Sequence, residues 1–417
     1  MVNTDSVSVF TEGTFEEQIH ELVEYIARSK PEADRVAFKQ PFADSLKTEK
    51  DQDSDSVSSE KKQEIIQQVL GAVDGLGDGS DREIEGFFNL LFSHIITLYT
   101  SEISVLSSAI SKLITVIMQQ TASEQTPVKY RVLANLFNAL PRISPVRLTV
   151  CNALLKLAVE NDEIENLHLS VADTERWLSE WSTSSEEKSA FLKAVADAFS
   201  ASGYPETAFS FSTSYVRSLA STAPAGPAAL ELIASALSLP SVFDFDSILK
   251  LDAIQTQKAH PLFALLQIFN SQGLEEFTRW KDSNLTILDS FNLDANVLEK
   301  KIRLLILSQL GFSKIGQNLT YSEIASALQI GEAEVEKWAI DVIRAGLLSG
   351  KLSQTAQTLH VIRASPRGFA NEQWKVLEQR LLDWKEGLSG VRSVLLSTRQ
   401  LNTIFRGLAS GSSDCSI

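Results

Sequence analysis

Residues 321–364 constrain the fold more than any other stretch. Ser322, Glu323, Ile324, Ala325, Ser326, Ala327 and Leu328 predict a short helix, and residues 331–348 predict a second, longer one. Residues 350–354 and 358–362 then read as two strands, with Leu352, Leu359, Val361 and Ile362 as strand formers. Helix, turn, helix and hairpin in that order make a winged helix. Such a module docks either on nucleic acid or on other protein subunits, and its charges distinguish the two uses.

The second helix carries Glu332, Glu334, Glu336 and Asp341 against Lys337 and Arg344. Facing a phosphate lattice, that surplus of acid repels instead of releasing counterions. Acids near a helix start favour its macrodipole by about 0.3–1 kcal/mol per charge, so a structural role accounts for them alone. Val335, Trp338, Ile340, Val342, Ile343 and Leu347 give the helix a wide apolar surface, part of which must pack on Ile324 and Leu328. The whole chain has a net charge of −15, which argues against phosphate backbones and anionic lipid as main partners.

Two features suit contact with protein. The hairpin, with Leu352, Leu359 and Val361, offers an edge that can take a strand from a similar module. Lys351 and Arg363 blunt that edge in the alternative reading. The same charges, with Arg367, are placed to touch RNA as a minor contribution. Beyond the hairpin, residues 370–396 predict a helix in which Trp374, Leu377, Leu381, Trp384 and Leu388 follow one another at steps of three and four. This is an a/d seam, and Val391, Val394 and Leu395 extend it. The seam either folds back on its own winged helix or joins a bundle with other subunits, and its length with two tryptophans favours the bundle.

Upstream, residues 84–310 are helical in pattern almost throughout. Phe87, Phe88, Leu91, Ile95 and Leu98 share one face, as do Leu133, Leu136, Phe137 and Leu140, and later Phe191, Leu192, Val195 and Phe199. Pro141, Pro145, Pro205 and Pro240 punctuate these runs. Short amphipathic helices joined by short turns stack into an α-solenoid, here with degenerate repeats. The chain begins with a polar lead, then a short helix through Phe15, Ile19, Leu22 and Ile26, then a polar loop over 41–62.

Sites for chemistry are weak. Asp51, Asp53 and Asp55 mimic the start of a calcium loop, but Ser56 stands where glycine is needed and Lys62 where glutamate is needed. Gly71, Gly75, Gly77 and Gly79 follow a helical segment without the lysine of a phosphate loop, and read as a turn. His20, His94, His168, His260 and His360 are scattered, with no metal or catalytic spacing. No cofactor, metal or catalytic residue is assigned, and no enzyme is expected. Cys151 and Cys415 form no framework, which fits a reducing compartment. A signal peptide and any span near the ~20 apolar residues of a membrane helix are absent from the pattern, so a soluble, cytoplasmic protein is expected.

A helical array running directly into a winged helix resembles the PCI domain, shared by the proteasome lid, the COP9 signalosome and initiation factor 3. The likeness covers about 204–366. Within that family, Leu328, Gln329, Ile330 and Gly331, then Val335 and Glu336, residues 340–344 and residues 350–355 are similar to the M-subunit family of eukaryotic translation initiation factor 3. Arg367, Phe369, Gln373, Trp374, Leu377, Leu381, Trp384, Lys385 and Leu388 continue the likeness, and residues 130–138 extend it upstream. The loop at 41–62 and the tail after Ser397 depart from it.

The expected fold is therefore mostly α: a right-handed helical-repeat solenoid running into a winged-helix (PCI) module, then a long C-terminal helix. The expected domains are an N-terminal helical segment at 1–83, solenoid at 84–203, PCI domain at 204–366 (winged helix from 317), and bundle helix with tail at 367–417. The resemblance implies a non-catalytic scaffold among PCI and MPN subunits, binding the 40S ribosomal subunit through the complex and supporting recruitment of mRNA and initiator tRNA. Leu352, Leu359, Val361, Trp374, Leu377, Leu381, Trp384 and Leu388 are the expected partner-binding residues. A PCI subunit of the signalosome, a winged-helix RNA-binding regulator and a hydrolase assembled from scattered groups are the competing readings.

Overall fold

The computed structural model describes residues 13–47, 58–119, 125–219, 225–368 and 371–410. Asp51, Asp53, Asp55, Phe369 and Cys415 lie outside the described residues. The chain divides into two compact units, Met1–Ala225 and Gly226–Ile417.

The first unit is a succession of helices. It runs through α1 (Phe15–Arg28), α2 (Glu32–Lys47), α3 (Ser59–Ala72), α4 (Asp81–Tyr99) and α5 (Ile103–Met118). It continues with α6 (Thr126–Ala139), α7 (Val146–Glu160), α8 (Val171–Glu180), α9 (Ser185–Ala201) and α10 (Pro205–Ser218). Each helix packs mainly on those one or two places away in sequence: α4 on α5 and α6, α6 on α7, α7 on α9, α9 on α10. Packing that is mainly between near neighbours, with α1 also reaching α4, is what makes a helical-repeat array.

The helix starts are written in short motifs. Thr14 with Glu17 and Ser184 with Glu187 form reciprocal capping boxes at α1 and α9. The apolar faces merge into one core from Ile19, Leu22, Phe88, Leu91, Ile110, Leu133 and Leu136, and a second from Trp181, Phe191, Val195 and Phe211. The polar loop expected at 41–62 is helical at both of its ends. α2 continues through Pro41 to Lys47, and α3 starts at Ser59. Phe42 is buried and its ring lies 5.5 Å from that of Phe38, so packing carries the helix past a proline that propensity alone would let end it.

The second unit begins with α11 (Ala225–Ser238), α12 (Asp246–Leu249), α13 (Asp252–Gln255), α14 (Pro261–Ser271), α15 (Leu274–Ser283), α16 (Leu285–Ser290) and α17 (Ala295–Ser313). The winged helix follows as β1 (Asn318–Thr320), α18 (Tyr321–Leu328), α19 (Val335–Arg344), β2 (Leu348–Ser353) and β3 (Thr358–Ala364). A single helix, α20 (Asn371–Ser410), completes the described chain.

Thr320 and Glu323 box the start of α18, and Gln329, at φ 53°, ends it in the left-handed region. The helix expected over 331–348 is shorter. A 3-10 turn at Glu332–Glu334 precedes α19, and Gly346, at φ 72°, turns the chain out of it before β2. β3 is the central strand, paired antiparallel to β1 and to β2. β1 was not anticipated from the sequence. Between β2 and β3 the register skips Ile362, a β-bulge opposite Gly350. A Cβ at Gly350 would stand 2.4 Å from the His360 carbonyl oxygen, so only glycine fits there. Leu319, Ile324, Leu328, Val335, Val342, Leu348, Leu359 and Val361 pack with Leu304 and Leu307 of α17 in one core.

Candidate partner interface

The apolar seam lies on α20, a helix of 40 residues and so about 60 Å long. Its length comes from local consistency: the segment has no proline and few β-branched residues, and Leu, Glu, Gln, Lys and Arg dominate it. Trp374, Leu377, Leu381, Trp384 and Leu388 lie along one face with exposures between 37 and 69%. Val391 and Leu395 continue the row, and Leu382 and Leu396 widen it; all are exposed. Burying each such side chain is worth about 1.5–3 kcal/mol, and this contiguous exposed row is the candidate docking surface of the described residues.

The winged helix places the hairpin residues in two environments. Leu352 is half-buried on β2, an outer strand with no strand on its other side among the described residues. Leu359 and Val361 are fully buried. They lie on the central strand, whose two neighbours occupy both its edges, and their side chains pack in the core of this chain instead of facing outward. A strand added to this sheet therefore meets β1 or β2, not β3, and the β2 edge carries the exposed Lys351.

The acids of α19 are held within the module. Tyr321 Oη donates to Glu336 Oε1 at 3.3 Å, and Gln354 Nε2 donates to Glu336 Oε2 at 2.8 Å, tying the helix to the wing. Burial beside that carboxylate raises the Tyr321 pKa. Asp341 pairs with Lys300 of α17 at 3.0 Å. The Arg303 guanidinium lies 5.6 Å from the Trp338 ring and donates from Nε to the Leu328 carbonyl. Glu332 and Glu334 remain exposed at the helix start. The face that would enter a nucleic-acid groove thus combines fixed acids with the exposed Ile340.

The histidines have separate duties. His260 caps α14, accepting from the Leu262 N–H at 3.2 Å, while His360 meets Asn318 at 2.8 Å and His168 sits in a turn at φ 45°. No group of three or more His, Cys, Asp or Glu is arranged for a metal among the described residues. Burial pushes the Cys151 thiol up to about 12, which keeps it protonated and inert. No helix among the described residues is long and apolar enough to cross a membrane.

Sequence reasoning missed two arginines at the root of α20, Arg367 and Arg380, as contacts of the fold. Arg367, expected among the charges that could touch RNA, is instead buried with its guanidinium on the Gln272 carbonyl, and Arg380 lies against Phe312. Nothing in their sequence spacing distinguishes them from solvated charges.

Known proteins give the same outline. The PCI domain model matches residues 274–363, and the model described as eIF3 subunit M, C-terminal helix, matches residues 367–395. The chain is 30% identical to eukaryotic translation initiation factor 3 subunit M of Phaeosphaeria nodorum, over 94% of this chain and 89% of the relative. It is 31% identical to the subunit of that name in Neosartorya fischeri, over 95% and 87% of the two chains. The Aspergillus terreus protein of the same name is 30% identical over 95% and 88%. With relatives of that name at 30% identity or more over nearly its whole length, the chain belongs to the family of eukaryotic translation initiation factor 3 subunit M.

Proposed function

We propose that this chain is a non-catalytic scaffold subunit of the translation initiation factor 3 complex, working in the cytoplasm. In this reading it sits among other PCI and MPN subunits. Through the complex it supports 40S ribosome binding and the recruitment of mRNA and initiator tRNA. The observation that carries the reading is the exposed seam of α20, read together with the membership of the M-subunit family.

Trp374, Leu377, Leu381, Trp384 and Leu388 enter a bundle with helices of other subunits, and Leu352 borders the strand edge that meets a neighbouring winged helix. Leu359 and Val361 serve the same interface indirectly, by packing β3, the strand paired with β2, onto the core. In this reading residues 1–83 are the N-terminal helical segment, 84–203 the solenoid, 204–366 the PCI domain and 367–417 the bundle helix with its tail. The acids fixed on α19 favour protein contact over RNA contact for the winged helix.

Affinity purification of the tagged chain from its own cells, followed by mass spectrometry, tests the reading. Initiation-factor subunits and 40S proteins are the expected companions. Recovery of cullin-regulating subunits, or of the chain alone, would reject it.

A further inference from the structure

The direction in which α20 leaves the winged helix decides where its seam can be met. The connection from β3 is held against the helical layer before α20 begins. Ser308 Oγ donates to the Ser365 carbonyl at 2.6 Å, and the Ser365 N–H donates to the Leu347 carbonyl at 2.8 Å. Arg367 then turns inward, only 8% exposed. Its Nη1 donates to the Gln272 carbonyl at 2.7 Å, and its backbone N–H meets Gln309 Oε1 at 3.4 Å.

Gln272 is the residue that ends α14, where helix carbonyls lack intrahelical partners and the macrodipole favours a cation. Gly368 lies against Asn270, with space for a Cβ only 3.3 Å from its Oδ1. Arg367 Nε and Asn270 Oδ1 are both buried without a hydrogen-bond partner among the described residues. Burying an arginine on such terms opposes stability, and its use here is geometric: it fixes one orientation.

A second arginine repeats the arrangement on α20 itself. Arg380 Nη2 donates to the Phe312 carbonyl at 3.3 Å, and its guanidinium lies 5.2 Å from the Phe312 ring. Phe312 belongs to the last turn of α17. Arg367 thus anchors the chain four residues before α20 starts, and Arg380 holds the helix itself nine residues after its start; a fixed approach and a second contact along the helix set an angle that either alone leaves free.

We propose that Arg367 and Arg380 are positioning residues that form a two-point latch: each binds the carbonyl end of a body helix, α14 or α17, and together they hold α20 at the angle in which its seam meets the partner bundle. This rests on the reading of α20 as a bundle helix. Without the latch, α20 stays helical but samples many angles. Assembly then draws on only the fraction held in the competent one, and affinity falls by about tenfold if that fraction is roughly a tenth.

The test uses the full chain with Cys151→Ala and Cys415→Ser, carrying nitroxide labels at Asp282→Cys on α15 and Ser393→Cys on α20, both exposed positions. Pulsed electron resonance of the chain alone reads the distance between them. A narrow distribution is expected in the parent, broadened by Arg380→Gln and by Arg367→Lys. Arg380 is exposed, so its variant keeps the fold and decides the matter even where Arg367→Lys is poorly folded. A distribution unchanged by Arg380→Gln overturns the latch. Binding of the unlabelled parent to an initiation factor 3 preparation lacking this subunit is measured in parallel. Failure of the parent to bind overturns the bundle reading, whatever the distances show.

Discussion

The ammonium of Lys301, on α17, donates to the carbonyl oxygen of Ala236, in α11, at 2.6 Å. It also reaches the carbonyls of Leu237 at 3.3 Å and Leu239 at 2.6 Å, and lies 5.1 Å from the Phe245 ring. A charged side chain buried to 2% exposure thereby closes the end of α11.

Replacing it removes three donor contacts at once. Lys301→Met is expected to destabilise the second unit by about 2 kcal/mol, the lost carbonyl partners outweighing the relief of a buried charge. The denaturant midpoint, followed by near-ultraviolet circular dichroism, measures this. A midpoint at or above the parent's would contradict it.

Burial pushes the Lys301 ammonium down to about 7 from 10.5. The unfolded chain keeps the proton up to the ordinary lysine range, while the folded chain releases it earlier. Between about 7 and 10.5 the unfolded state binds more protons, so this residue's contribution to stability rises with pH across that window. The slope is bounded by about 1.4 kcal/mol per pH unit. The expected observation is a parent-minus-Lys301→Met difference that grows on going from neutral to alkaline pH. A flat difference would show that the carbonyl cage holds the proton throughout.

Trp384 is the most exposed of the expected seam residues, at 69%. Trp384→Asp is expected to leave the stability of the isolated chain within about 0.5 kcal/mol, as surface changes do, yet to abolish assembly by burying a charge in the bundle. Thermal melting of the free chain and size-exclusion co-migration with its complex give the two readings. Normal co-migration would remove Trp384 from the interface.

Gly311, on α17, lies against Leu348 of β2 and Ala364 of β3. A Cβ there would lie 2.5 Å from Leu348 Cδ1, and Leu348 is buried at 3% exposure. Gly311→Val is expected to destabilise by about 1–3 kcal/mol through overpacking, and its cost should shrink in the Leu348→Ala background. Additive effects in the double variant would show that the two positions do not press on each other.

Much of this was legible in the chain itself. Helical spacing gave the array, because buried faces built from residues such as Phe88, Leu91 and Ile95 leave a periodic trace. The seam residues on α20 announced themselves in the same way. β1 left no trace, since three residues are too few for alternation and Asn318–Thr320 is fixed by pairing with β3. The extent of α2 was misread for a related reason: Pro41 is a local signal, and the Phe38–Phe42 packing that overrides it is tertiary. The burial of Lys301 and Arg367 leaves no trace in the sequence, because their acceptors are main-chain carbonyls, which carry no side-chain signature. Leu359 and Val361 were recognised as strand residues, but central or outer placement depends on where β1 docks.

α20 acts as a lever. Over its roughly 60 Å, a tilt of about 10° at the root sweeps the far end through about 10 Å, twice the spacing between neighbouring strands. Small adjustments beside Gln272 and Phe312 are thereby magnified at a distance, and whatever grips the tip feels motions too slight to register at the fulcrum.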